Sequence, residues 1–102
     1  MTGQQPLKTI DHGIIRNWAA ERGGRPARVA SITGAGGPEW LRIELPGVRE
    51  REKLESITWE EFFDMFEEFE LAFLYLEKTE EGQLSQFCKI VRREQGEIAE
   101  VA

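Results

Sequence analysis

The sequence predicts an α+β fold: a four-stranded, mostly antiparallel sheet with two helices on one face, in the chain order helix, hairpin, helix, hairpin. Three observations carry this reading. Residues 59–69 repeat their large apolar side chains at helical spacing. Residues 41–45 alternate apolar and charged residues, and residues 71–76 form a short apolar run bounded by charge. The first pattern is that of an amphipathic helix and the other two are strand patterns.

The stretch around which the rest is organised is residues 58–77, TWEEFFDMFEEFELAFLYLE. At about 100° per residue, Trp59, Phe62, Phe63, Met65, Phe66 and Phe69 fall on one side of a helix. Glu60, Glu61, Asp64, Glu67 and Glu68 fall on the other. Thr58 and Glu61 have the spacing of a capping box, and Ile57 and Phe62 that of a hydrophobic staple. Glu60 and Glu61 lie in the first turn, where the helix dipole favours negative charge. Each fully buried large apolar side chain contributes roughly 1.5–3 kcal/mol, so the aromatic side needs a sheet to cover it. The run from Leu71 to Leu76 is predicted to be the central strand of that sheet.

Earlier in the chain, residues 1–8 show no periodic apolar signal and are expected to form a flexible arm. A first helix is expected from Thr9 or Asp11, either of which can cap it, with Ile14, Ile15, Trp18 and Ala19 as its apolar stripe. Gly23-Gly24 followed by Pro26 is a stop signal. Residues 28–33 and 40–45 are predicted to pair as a hairpin, and residues 48–56 to form a charged connector. After a turn at residues 80–83, residues 84–91 return as the last strand. Residues 9–93 thus make a single domain, and residues 94–102 a polar tail.

Composition narrows the function classes. With 102 residues the chain holds one core. No apolar stretch approaches the ~20 residues that span a bilayer, and the N-terminus lacks the apolar segment of a signal peptide. The single cysteine, Cys88, excludes an internal disulfide, and the expected address is cytoplasmic. One histidine and one cysteine cannot assemble a His/Cys zinc site, and nothing implies a cofactor. The net charge of −6 is unevenly distributed. Residues 1–51 carry eight Lys/Arg against five Asp/Glu, and residues 52–102 carry five against fourteen.

No motif in the chain defines a reaction. Residues 29–37, VASITGAGG, resemble the strand and glycine turn of a dinucleotide-binding fold. However, Glu39 stands where the third glycine belongs, and Pro38 precludes the phosphate-binding helix. Asp11-His12 has the composition of a general base with an orienting acid, but no nucleophile is spaced near it; a helix cap and a solvent-facing residue is the plainer reading. Cys88 reads as a small buried apolar residue. Arg22, Arg25 and Arg28 make a basic loop that suits phosphates, although a helix cap and turn flanked by solvated arginines is the plainer reading. The carboxylates of Glu60, Glu61, Asp64, Glu67 and Glu68 are either a solvated helix face or a docking surface for a basic partner.

Taken in order, several segments resemble a family of small uncharacterised bacterial proteins. They are D-H-x-x-I-x-x-W-A-x-x-R-G-G-x-P-A at residues 11–27, L-R-I-x-x-P-G at 41–47, I-x-W-x-E-F-F at 57–63, L-A-F-L-Y at 71–75 and S-x-F-x-K at 85–89. Some members carry the label alpha-glucan branching enzyme. That label implies a catalytic barrel of ~250 residues, which this chain is too short to form. The resulting expectation is a non-enzymatic binding or interaction module whose partner is a basic protein surface or a second copy of itself. The alternative is a nucleic-acid-associated accessory protein using the arginine loop, with a small enzyme ranked third.

Overall fold

In the structure, a computed structural model, residues 6–30, 40–49 and 52–93 are described. The elements are β1 (Leu7–Thr9), α1 (His12–Glu21), β2 (Arg25–Val29), β3 (Leu41–Glu44), β4 (Leu54–Ser56), α2 (Trp59–Glu68), β5 (Leu71–Tyr75) and β6 (Cys88–Arg92).

Both helices start as their sequences dictate. Asp11 caps α1 by accepting from the Ile14 amide at 3.0 Å, and Ile15, Trp18 and Ala19 are its buried stripe. Ile14, expected in that stripe, faces outward instead. At the other end of α1, the Gly24 amide donates to the Ala19 carbonyl and the Gly23 amide to the Ala20 carbonyl. With Gly23 at φ +70°, this is a Schellman cap. A Cβ at Gly24 would lie 2.8 Å from Leu45 Cδ2 and 3.0 Å from Ile43 Cγ2, so a side chain there would require those core side chains to shift. In α2 both bonds of the capping box form: Glu61 N–H donates to Thr58 Oγ1, and Thr58 N–H to Glu61 Oε1. Phe62 and Phe66 are fully buried on this helix, while Trp59, Phe63, Met65 and Phe69 are partly buried against the same core.

The single four-stranded sheet is not found. Six strands form two three-stranded antiparallel sheets, one in the order β1-β5-β6 and the other in the order β3-β2-β4. The expected hairpin partners do pair, β2 with β3 and β5 with β6. Each pair then gains a third strand from a stretch whose own sequence shows no strand pattern. β1, which overlaps the expected arm, pairs with β5. β4, inside the expected connector, pairs with β2. The physical reason is that a central strand has backbone donors and acceptors on both edges, and burial requires both sets to be paired. Short polar segments suffice for this, because only their backbone is needed.

Boundaries also move. The Schellman cap turns the chain at once, so β2 starts at Arg25 rather than Arg28. Pro26 is tolerated inside it because its nitrogen, which cannot donate, faces β4 at the end of that ladder; its carbonyl still accepts from the Ile57 amide. The last strand begins at Cys88 rather than Leu84, which makes only an isolated bridge to Lys78. Cys88 is half-buried against the core. The glycine loop at residues 34–37, residues 31–33 of the expected strand, most of the N-terminal arm and the polar tail lie outside the described residues.

One core joins all of this. Ile15, Trp18 and Ala19 of α1 and Phe62 and Phe66 of α2 meet Leu71, Phe73 and Tyr75 of β5, Ile90 of β6, and Leu41 and Ile43 of β3. The two sheets approach each other where β3 packs against β6.

Candidate functional site

The five acidic residues of α2 have separate roles. Glu61 is a cap, its carboxylate held by the Thr58 amide. Glu67 is partly buried and held from two sides. His12 Nε2 lies 2.7 Å from Glu67 Oε2, and Arg93 Nη2 lies 2.9 Å from Glu67 Oε1. Because a carboxylate only accepts, the His12 Nε2 carries the proton. The His12 ring also stacks on Phe63, with centroids 4.0 Å apart and planes 7° from parallel. Arg93 Nε donates to the Leu71 carbonyl, and its guanidinium lies over Phe66. The Arg93 Nη2 contact with Glu67 is an ion pair by distance without a well-aligned hydrogen bond. Glu60, Asp64 and Glu68 remain exposed, and among the described residues no ion pair reaches them.

The His12–Glu67–Arg93 cluster joins the start of α1 to the end of α2 and to the residue after β6. Burial works to raise the Glu67 carboxyl, but the hydrogen bond from His12 and the close contact and positive charge of Arg93 outweigh it and hold the group below its ordinary value. A group depressed in this way adds stability that is fully present above its unfolded pKa, about 4.3. That stability is lost as the pH falls through the lower folded value. Replacement of Glu67 by Gln is therefore expected to destabilise the protein at pH 7, with the gap to the parent closing as the pH falls below the ordinary carboxyl range and through the depressed folded value. Urea unfolding of both proteins across that fall in pH checks this; a gap independent of pH would show that the ionised carboxylate is not what the cluster stabilises.

Beside the first half of α2 lies an open cleft of about 440 Å³, lined by Arg28, Glu55, Ser56, Ile57, Glu61, Asp64 and Met65. One wall is β4 and the turn after it; the other is the helix. Arg28 Nη2 is 2.8 Å from Glu55 Oε1, so the pair is neutralised within the cleft. Glu61 and Asp64 leave the lining with excess negative charge.

The three arginines of the expected basic loop do not form one surface. Arg22 is buried: its Nη1 donates to the Trp18 carbonyl at 2.8 Å, its Nη2 to the Glu77 carbonyl at 2.8 Å and its Nε to the Ser85 carbonyl, and its guanidinium lies 4.1 Å over the Trp18 ring. Arg25 is exposed, while Arg28 faces Glu55. On a strand, positions three apart project to opposite faces, so Arg25 and Arg28 diverge. His12, paired with Asp11 in the sequence, finds its carboxylate 55 positions away at Glu67. Only spatial proximity reveals that partner, and likewise the contribution of β4 to the cleft.

Among the described residues no group of three or more His, Cys, Asp or Glu is placed to hold a metal ion, and no helix is long and apolar enough to cross a membrane. Compared with family models, curated proteins and solved structures, the chain finds no match in any of the three.

Proposed function

We propose that this protein is a non-enzymatic interaction module whose acidic α2 face and adjoining cleft receive a basic segment of a partner protein. The observation that supports this most is the division of labour among the α2 carboxylates. Glu61 and Glu67 serve the fold, whereas Glu60, Asp64 and Glu68 are exposed and, among the described residues, no cation pairs with them. Glu60 with Asp64, and Asp64 with Glu68, are like-charge pairs four residues apart, costing the helix about 0.2–0.5 kcal/mol each. A basic partner would offset that cost. The nucleic-acid reading has less support: one of its three arginines is buried and the other two diverge. The acidic balance of the chain also opposes phosphate binding.

The test is a titration of the protein with a short lysine-rich peptide at two salt concentrations, alongside the variant in which Glu60, Asp64 and Glu68 are all Gln. Binding is expected to weaken with salt and to fall at least about tenfold in the variant. The variant itself should be as stable as the parent or more so, because repulsion is relieved. Equal binding by both proteins would refute the proposal. A clearly less stable variant would do so too, because it would mean that the ridge is held internally.

A further inference from the structure

We propose that β4 is the seat of this interaction, and that a partner segment docks on it as an added strand, in extended conformation with lysine or arginine at alternate positions. This rests on the proposed function above and specifies how the partner is held. Among the described residues β4 lies at the outer edge of the β3-β2-β4 sheet, paired to β2 on one side only. The direction of its free groups follows from its bonds. The Ile57 amide donates to the Pro26 carbonyl, and the Ala30 amide to the Lys53 carbonyl. In an antiparallel ladder such bonded positions recur at every second residue, so Glu55 faces Arg28 with both its backbone groups. Leu54 and Ser56 then turn their N–H and C=O groups away from β2, and among the described residues no backbone group pairs with them there.

These two residues present two donors and two acceptors, enough to set the register of an incoming strand. They are too few to recruit an arbitrary chain. The remaining selectivity comes from the cleft, whose Glu61 and Asp64 stand across from Ser56 and Ile57 on the α2 wall. An added strand runs about 4.8 Å from β4, and every second side chain points to the same face. One face of a lysine–valine alternation would therefore direct all its ammonium groups at the α2 carboxylates. The other face would set its apolar groups beside the half-buried Leu54. The edge has neither a proline nor a bulge to turn a partner away, and its exposed carboxylate, Glu55, is already neutralised by Arg28. This complementarity of charge and backbone commits the site to a basic extended segment.

The experiment uses the full chain, labelled with ¹⁵N, and an eight-residue peptide alternating lysine and valine. Two further peptides of the same sequence carry N-methyl groups on every valine or on every lysine. In an added strand only one of these residue types turns its amides towards β4. One methylated peptide should therefore bind about tenfold more weakly, while the other binds like the parent. The Leu54 and Ser56 amides, which find no acceptor among the described residues, should exchange at least about tenfold more slowly with the parent peptide bound. If both methylated peptides bind like the parent, or those two amides gain no protection, the strand mode is overturned while the acidic docking face stands. If the parent peptide does not bind, the proposed function itself fails and this inference with it.

Discussion

Truncation of Phe66 to alanine is expected to cost about 3–5 kcal/mol, the range for an aromatic removed from a packed core. Phe66 is fully buried in the middle of α2 and stacks on Phe62 with centroids 6.0 Å apart. Phe63 and His12 meet it edge-on, and the Arg93 guanidinium lies 5.5 Å from its ring centre. Its removal thus opens a cavity and also frees the groups that hold Glu67. Domains of this size have a total stability of roughly 5–15 kcal/mol, so the loss is a large fraction of the whole and the urea midpoint should fall sharply. Circular dichroism with urea titration gives the measurement. A thermal midpoint within a few degrees of the parent would mean that α2 does not pack as described.

Replacement of Arg22 by alanine is expected to cost about 2–4 kcal/mol, because each buried carbonyl left without its donor costs roughly 1–3 kcal/mol and water recovers part of that. Three carbonyls are at stake. Trp18 belongs to α1 itself, and Glu77 and Ser85 to the connection between β5 and β6. The side chain therefore ties the end of the first helix to the far hairpin, and stacking over Trp18 adds to the loss. Lysine should recover only a fraction, because one ammonium cannot replace a planar fork spanning three acceptors. Denaturant unfolding of both variants checks the order of stabilities, parent above lysine above alanine. An alanine variant within 0.5 kcal/mol of the parent, roughly the scatter of surface substitutions, would place Arg22 in solvent.

Arg22 also shows how far the sequence could be read. Gly23-Gly24 told of a helix end, and the helix ends there in a Schellman cap. The arginine beside it looked like one of three solvated charges, because the carbonyls that bury it come from residues 77 and 85. No local pattern marks a backbone acceptor 63 positions away. The same holds for His12, whose neighbour Asp11 is occupied as a helix cap while its imidazole pairs with Glu67.

Taken alone, the sequence determined what depends on neighbours within a turn or two. The capping box at Thr58 and Glu61, the aromatic face of α2 and the strands at Leu41–Glu44 and Leu71–Tyr75 follow from periodicity and capping chemistry. Tertiary structure decided what depends on partners that only folding brings near. Leu7–Thr9 and Leu54–Ser56 are strands because β5 and β2 have unpaired backbone edges, and no side-chain alternation announces that demand. Glu70 adopts φ 54° between α2 and β5, a left-handed geometry imposed by the immediate passage from helix to strand. Of the five α2 carboxylates, Glu61 is the cap that its spacing from Thr58 announced, whereas Glu67 became an ion-paired clasp and three others stayed exposed, because among the described residues only Glu67 found cations from other elements within reach.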